Sequence, residues 1–268
     1  MSDLPFAKKS LGQHWLTDQT SLQAMVTAAQ VEADDTVLEI GPGVGTLTRE
    51  LIGIVKQVVA VEFDSALAKA LPSVVPADNL QVVESDILRF DYTALPPDYK
   101  VVANIPYYLT SNLIRQLSET SNQPRTAALL VQKEVAQRVA AKPGDMSLLS
   151  VTAQYYWNVS VGMLVPAKLF TPPPKVDSQI LILERRDGPL FDDVDVRRFF
   201  RLVKAGFSER RKTLLNSLSG GLRLDKPTVQ NLLDASGIEA RLRPQNLSLE
   251  NWHDIYKNAI IQVDGAEF

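Results

Sequence analysis

The residues of this chain best suited to chemistry lie in the run Val101-Val102-Ala103-Asn104-Ile105-Pro106-Tyr107. An exocyclic aromatic amine such as that of adenine is a poor nucleophile, because its lone pair is delocalised into the ring. A side-chain amide oxygen and a main-chain carbonyl, held in one turn, can accept its two N–H bonds. That draws the nitrogen toward sp³ geometry without removing a proton first. Asn104 offers the amide oxygen and Ile105 the carbonyl, and the fixed φ of Pro106 holds that carbonyl in place. Tyr107 offers a ring face on which a base can stack. A methyl group on a positive sulfonium, placed in line with the nitrogen, would then be attacked at a rate gained from positioning. The same four residues also fit a helix-initiating turn with Asn104 as its N-cap.

A second group is Glu39-Ile40-Gly41-Pro42-Gly43-Val44-Gly45, between an apolar strand-like run and a helix-like one, the context of a nucleotide-binding turn. Glu62 follows 17 residues after Gly45, at the end of the next strand, where an acidic residue can accept both ribose hydroxyls of an adenosine. Asp86, in Ser85-Asp86-Ile87, follows a third strand and either accepts from an adenine amine or caps a helix. Two cofactor classes compete for this set. A dinucleotide loop, G-x-G-x-x-G/A, wants Gly or Ala where Thr46 stands, and Pro42 removes an N–H from a loop that should cradle a pyrophosphate. The E-x-G-x-G-x-G spacing instead resembles motif I of class I S-adenosylmethionine methyltransferases. That cofactor has no phosphate and tolerates Glu39 beside the loop.

The elements that must position these residues follow a β-α-β-α rhythm. The pattern predicts a helix over 20–31, capped by Thr20 or Ser21, a strand over 36–40, a helix over 46–55, a strand over 57–61 and a helix over 65–71. Strands over 80–83, 100–103 and 127–131 and helices over 111–118 and 133–141 continue it. This rhythm argues for an α/β fold, a parallel sheet covered on both faces. Residues 150–159 and 179–184 read as strands that close the sheet as an antiparallel pair, with a proline-rich loop over 166–174 between them. Asp187-Gly188-Pro189 breaks the pattern, and helices are predicted beyond it over 194–205, 209–218, 227–236 and 249–260. A domain boundary is expected near 185–190.

Composition sets the class. The chain has 268 residues, 45% apolar and 22% charged, which excludes disordered, collagen-like and coiled-coil chains. It has no cysteine and only two histidines, His14 and His253, so disulfides, thiolate metal sites and a histidine-based metal centre are not expected. The uncharged stretch 146–167 is interrupted by Ser, Thr, Gln and Asn, so no membrane span is expected, and Asp3, Lys8 and Lys9 argue against a secretory signal. A cytoplasmic protein is expected. Net charge is −3, but the window 197–223 carries +7 and leaves −10 for the rest. Arg197, Arg201 and Lys204 fall on one helical face in that window, which suggests either a polyanion site or a solvated helix face.

Together with Asn104 to Tyr107, the N-terminal run Lys8-Lys9-Ser10-Leu11-Gly12-Gln13-His14-Trp15-Leu16 resembles the rRNA adenine N6-dimethyltransferases. Further matches are Gln132-Lys133-Glu134-Val135-Ala136, Phe170 with Pro172 and Pro174-Lys175-Val176-Asp177-Ser178, and Phe207-Ser208-Glu209-Arg210-Arg211-Lys212-Thr213-Leu214. The last two favour the small-subunit branch, which acts on two adjacent adenosines near the 3′ end of 16S rRNA. The alternatives are the large-subunit branch of the macrolide-resistance type and a non-catalytic RNA-binding assembly factor on the same fold. The resemblance implies a Rossmann-like class I methyltransferase domain over 1–185 and a small all-helical rRNA-binding domain over 190–268. It implies S-adenosylmethionine as methyl donor, held by His14, Leu16, Gly41, Gly43, Gly45, Glu62, Asp86 and Asn104. Asn104, Ile105 and Pro106 would serve catalysis, and Tyr107 and Phe170 would sandwich the flipped target base. The partner implied is 16S rRNA in the small (30S) subunit, with a monomeric enzyme and no metal or membrane. Trp15 stands where Phe is more usual, and Gln245 where Glu often stands.

Overall fold

A computed structural model describes residues 7–8, 11–209 and 211–262. Lys9, Ser10 and Arg210 of the motifs above lie outside the described residues. The first half of the chain forms β1 (Trp15–Leu16), α1 (Gln19–Ala28), β2 (Thr36–Ile40), α2 (Thr46–Ile52), β3 (Gln57–Glu62), α3 (Ser65–Val74), β4 (Leu80–Glu84), β5 (Lys100–Asn104), α4 (Thr110–Glu119) and β6 (Thr126–Gln132). There follow α5 (Lys133–Val139), α6 (Leu148–Tyr156), β7 (Trp157–Val165), β8 (Phe170–Thr171), β9 (Ser178–Arg185), α7 (Val196–Gly206), α8 (Leu214–Leu222), α9 (Lys226–Ala235) and α10 (Leu249–Gln262).

The main sheet runs in the order β4-β3-β2-β5-β6-β9-β7. Strands β2 to β6 are parallel, and β2, β5 and β6 are short apolar runs buried almost throughout, as strands covered on both faces must be. β9 lies antiparallel between β6 and β7, so the expected antiparallel closure is present. The strand order reverses between β2 and β5, which opens a crevice at their carboxyl ends where such sheets bind ligands. The glycine turn leaves β2 there, Glu62 ends β3, Asp86 follows β4 and Asn104 ends β5.

Four features differ from the sequence reading. Residues 150–156 belong to α6 rather than a strand. Ser147 and Ser150 exchange hydrogen bonds, each backbone N–H donating to the other's hydroxyl, and this reciprocal cap starts a helix in a segment whose composition reads as strand. Helix α1 is capped by Asp18, whose carboxylate accepts from the Ser21 N–H, not by Thr20 or Ser21. Helix α8 begins at Leu214, not Glu209, because its first amides donate to the carbonyls of Leu242 and Ala240. The pairing of β1 with β8 has no periodic signal, being two residues from each strand.

The chain divides into two compact units. One comprises residues 1–137 and 157–185, the other 138–156 and 186–268. One division falls between 185 and 186, and 138–156, expected within the sheet domain over 1–185, groups with the helical residues. The reason is packing: Met146, Val151 and Tyr155 join the apolar core of the helical unit with Phe199, Leu202 and Trp252. The core of the sheet unit joins Leu22 and Met25 of α1 and Leu47 and Leu51 of α2 to strand residues such as Val37, Val58 and Leu130.

Candidate active site

At the carboxyl ends of β2 to β5 lies a cavity of about 270 Å³, lined by 11–16, 22, 39–44, 46–47, 61–63, 85–88 and 104–109. His14, Leu16, Gly41, Gly43, Glu62, Asp86 and Asn104 to Tyr107, spread in sequence over residues 14–107, thus meet in one place. Gly45 and Phe170 are not among the lining residues.

The turn after β2 holds three glycines at positive φ, 67° at Gly41, 58° at Gly43 and 77° at Gly45. A side chain on Gly41 would meet nothing within 4 Å, so at that point the backbone leaves room for a ligand. A Cβ on Gly45 would lie 2.6 Å from Val75 Cγ2 and 2.9 Å from Leu71 Cδ1. At Gly45 the absent side chain thus lets the turn pack closely against Leu71 of α3 and Val75 just beyond it. A Cβ on Gly43 would lie 2.6 Å from the Trp15 ring, so Trp15 covers the turn closely.

Two buried carboxyls stand beside this turn. Glu62 accepts from the Gly43 N–H at 3.1 Å and from the Asp64 N–H at 2.8 Å. Burial raises its pKa, and those two N–H groups pull it back in part. The Glu39 oxygens are buried with no hydrogen-bond partner, as is the Thr48 hydroxyl. Burial pushes the Glu39 carboxyl up to about 8; Thr48, although outside hydrogen-bond geometry, offsets this in part, and the nearby Glu62 adds to it. Asp86 does cap a turn, its Oδ1 accepting from the Leu88 N–H at 3.0 Å. It also lines the cavity, so the cap leaves it within the site. Among the described residues that line the cavity there is no Lys or Arg.

The N-terminal segment closes over this floor. Lys8 pairs with Asp64 at 2.7 Å and holds its carboxyl below the usual range. His14 Nδ1 donates to the Pro172 carbonyl at 2.6 Å, which places the ring proton on Nδ1. Asn104 Nδ2 donates to the His14 carbonyl at 3.2 Å. That bond fixes the amide with Oδ1 as the acceptor still available. Pro106 precedes the turn Tyr107–Leu109, and Asn104 is the last residue of β5, so the helix-cap reading of Asn104 does not hold. The Tyr107 hydroxyl is 2.8 Å from Ser178 Oγ, and its ring lies 6.1 Å from that of His14 at 20°.

The sequence model of one family, described as "Ribosomal RNA adenine dimethylase", matches residues 6–260. The chain belongs to the ribosomal RNA adenine dimethylase family. Among curated relatives, "Ribosomal RNA small subunit methyltransferase A" of Dehalococcoides mccartyi (strain CBDB1) is 42% identical over 250 residues, 92% of this chain and 86% of that one. The protein of the same name from Geobacillus thermodenitrificans (strain NG80-2) is 39% identical over 269 residues, 96% of this chain and 92% of that one. Among solved structures, a dimethyladenosine transferase from Plasmodium falciparum matches with TM-score 0.76 and 25% identity, over 92% of this chain and 98% of that one. The 23S rRNA methyltransferase ErmE matches with TM-score 0.74 and 29% identity, over 91% and 98%. As a member of the family, the chain is an rRNA adenine methyltransferase on a Rossmann-like α/β fold.

Phe170 adjoins the lining without being part of it. It is 3% exposed, pairs with Leu16 across β1 and β8, and belongs to the apolar core with Val165 and Ile180. Burial beside Val165 and Ile180 favours a core role for its ring over a face of the expected sandwich with Tyr107. Sequence reasoning also missed two exposed aromatics that line the cavity, Phe63 and Tyr108, each directly following a residue it did select. Adjacency to Glu62 and Tyr107 was the available signal.

Proposed function

We propose that this chain transfers methyl groups from S-adenosylmethionine to the N6 amines of two adjacent adenosines near the 3′ end of 16S rRNA, in the small ribosomal subunit. The observation that carries the donor assignment is the cavity floor: two buried carboxyls, Glu39 and Glu62, and no Lys or Arg among the described lining residues. Such a floor disfavours a pyrophosphate, as does the N–H missing at Pro42, and suits a ligand whose charges are positive. The fit is chemical as well. Glu39 has no partner and would accept from an α-ammonium, Glu62 keeps lone pairs for a ribose diol, and Gly41 leaves room for the ligand beside the main chain. When bound, S-adenosylmethionine supplies an electrophilic methyl group on a sulfonium.

The chain's own residues do the rest. Asn104 Oδ1 and the Ile105 carbonyl accept from the target amine and orient its lone pair. Tyr107, held by Ser178, gives the base a fixed face. Trp15, Leu16 and the backbone of His14 cover the turn and keep water from the reacting atoms. The helical unit, with the exposed Arg197 and Lys204 of α7, would hold the rRNA. The small-subunit assignment rests on curated relatives of that name at 39–42% identity, against 29% for the 23S enzyme. Small-subunit particles from cells lacking this methylation, incubated with labelled donor and then mapped, should carry label on two neighbouring adenosines near the 3′ end of 16S rRNA. Label on 23S rRNA instead would assign the chain to the other branch.

A further inference from the structure

Tyr108 is 63% exposed, yet it lines the cavity that holds Asn104. A single exposed aromatic is ordinary on a protein surface. Tyr108 differs in where it stands. A Cβ built on Gly12 would lie 3.6 Å from Tyr108 Cε1 and 3.5 Å from Pro106 Cβ, so the N-terminal segment passes directly against the ring. Gly12 has φ 63°, a conformation that puts backbone there at little cost. The turn beneath is fixed as well: the Leu109 N–H donates to the Pro106 carbonyl at 3.0 Å and Thr110 Oγ1 to the Tyr107 carbonyl at 3.0 Å. The ring thus stands on a hydrogen-bonded turn, with the N-terminal segment beside it on one side and solvent elsewhere, next to the residues proposed to receive the target amine.

We propose that Tyr108 is the stacking platform for the base next to the target adenosine in the rRNA strand. The proposal rests on the reading of the cavity as the place where the target adenine meets Asn104. A base that enters the cavity leaves its stack, and its strand neighbour then loses a stacking partner at the mouth. An exposed aromatic face at that point replaces the lost contact for any base, because every base has a π face. The platform therefore sets the position of the strand and adds no discrimination between bases.

The test compares Tyr108→Ala, Tyr108→Leu, Tyr108→Phe and Tyr108→Trp at saturating donor, with unmethylated small-subunit particles as substrate. Stacking on one ring corresponds to about five- to a hundred-fold in affinity. Tyr108→Ala and Tyr108→Leu should raise KM for the particle by that factor with kcat within a few-fold, whereas Tyr108→Phe and Tyr108→Trp should keep the wild-type KM. Donor affinity by calorimetry and the melting temperature should not change across the series. An unchanged KM in Tyr108→Ala, a Tyr108→Leu variant that behaves as wild type, or an equal loss of donor affinity overturns the proposal. Asn104→Ala, assayed beside the series, separates the two levels. If it stays active, the reading of the cavity fails; if it is inactive while Tyr108→Ala is normal, only the platform fails.

Discussion

The N–H of Gly43 donates to Oε2 of Glu62 at 3.1 Å and so ties the turn after β2 to the end of β3. The other carboxylate oxygen is held by the N–H of Asp64 at 2.8 Å. Glu62 is therefore set by backbone on both sides before any ligand arrives, and its orientation costs nothing at the moment of binding.

Loss of this carboxylate should weaken the donor rather than the chemistry. Hydrogen bonds to a charged group contribute roughly 1.5–3 kcal/mol, about ten- to a hundred-fold in affinity. Glu62→Ala should lose donor affinity by that factor in calorimetry, while the rate at saturating donor falls much less. Unchanged affinity would remove Glu62 from the site.

Glu39 should make the free protein less stable as pH rises. Its carboxyl is pushed by burial from the ordinary 4.5 up to about 8, so between those values the folded state binds more protons than the unfolded state. The stability of the wild-type protein then falls from about pH 4.5 to about pH 8 through this group, and the loss is complete above the folded value. Glu39→Gln has no such group. Its melting temperature should exceed that of the wild type by a margin that grows across this window and then levels off. Parallel melting curves would show that Glu39 does not carry the effect.

Phe170 should behave as a core residue. Truncation of a buried aromatic costs about 3–5 kcal/mol. Phe170→Ala should lower the melting temperature by many degrees, with specific activity per folded molecule retained. A variant of wild-type stability and greatly reduced activity would restore Phe170 to base binding.

The sequence shows much of the site and less of its cover. Glu62, Asp86 and Asn104 each end or follow a strand, and strand ends are legible because β-branched runs stop there. Gly45 shows the limit of a motif: its spacing matches that of Gly41 and Gly43, but its missing side chain makes room for Val75 and Leu71 of and beside α3. No local pattern reports such a long-range contact. Phe170 shows the same limit, since only the pairing of Leu16 with Phe170 reveals which side the ring faces. Helix α6 was hidden for another reason. Its Val, Thr and Tyr content favours strand, and the Ser147–Ser150 cap that decides the matter lies at its start.

The exposed basic residues of α7 should act on the rRNA alone. Arg197, Arg201 and Lys204 all lie on the exposed side of that helix, opposite the buried Phe199, Leu202 and Val203. Their joint replacement by Gln should weaken binding of small-subunit particles and flatten its salt dependence by about one slope unit or less per lost phosphate contact. Donor affinity should not change. An unchanged salt slope would mean that this face does not meet the rRNA.

The proposed mechanism turns on Asn104, whose Nδ2 donates to the His14 carbonyl at 3.2 Å and leaves Oδ1 as the acceptor for the target amine. The most direct measurement is the single-turnover rate of methyl transfer to unmethylated small-subunit particles by Asn104→Ala, at donor concentrations shown to saturate the variant. Loss of one interaction of this kind in the transition state costs about 10²–10³ in rate. The predicted result is a fall of that size in a protein that melts within a few degrees of the wild type. A rate within a few-fold of wild type would contradict the role of Asn104 and, with it, the mechanism.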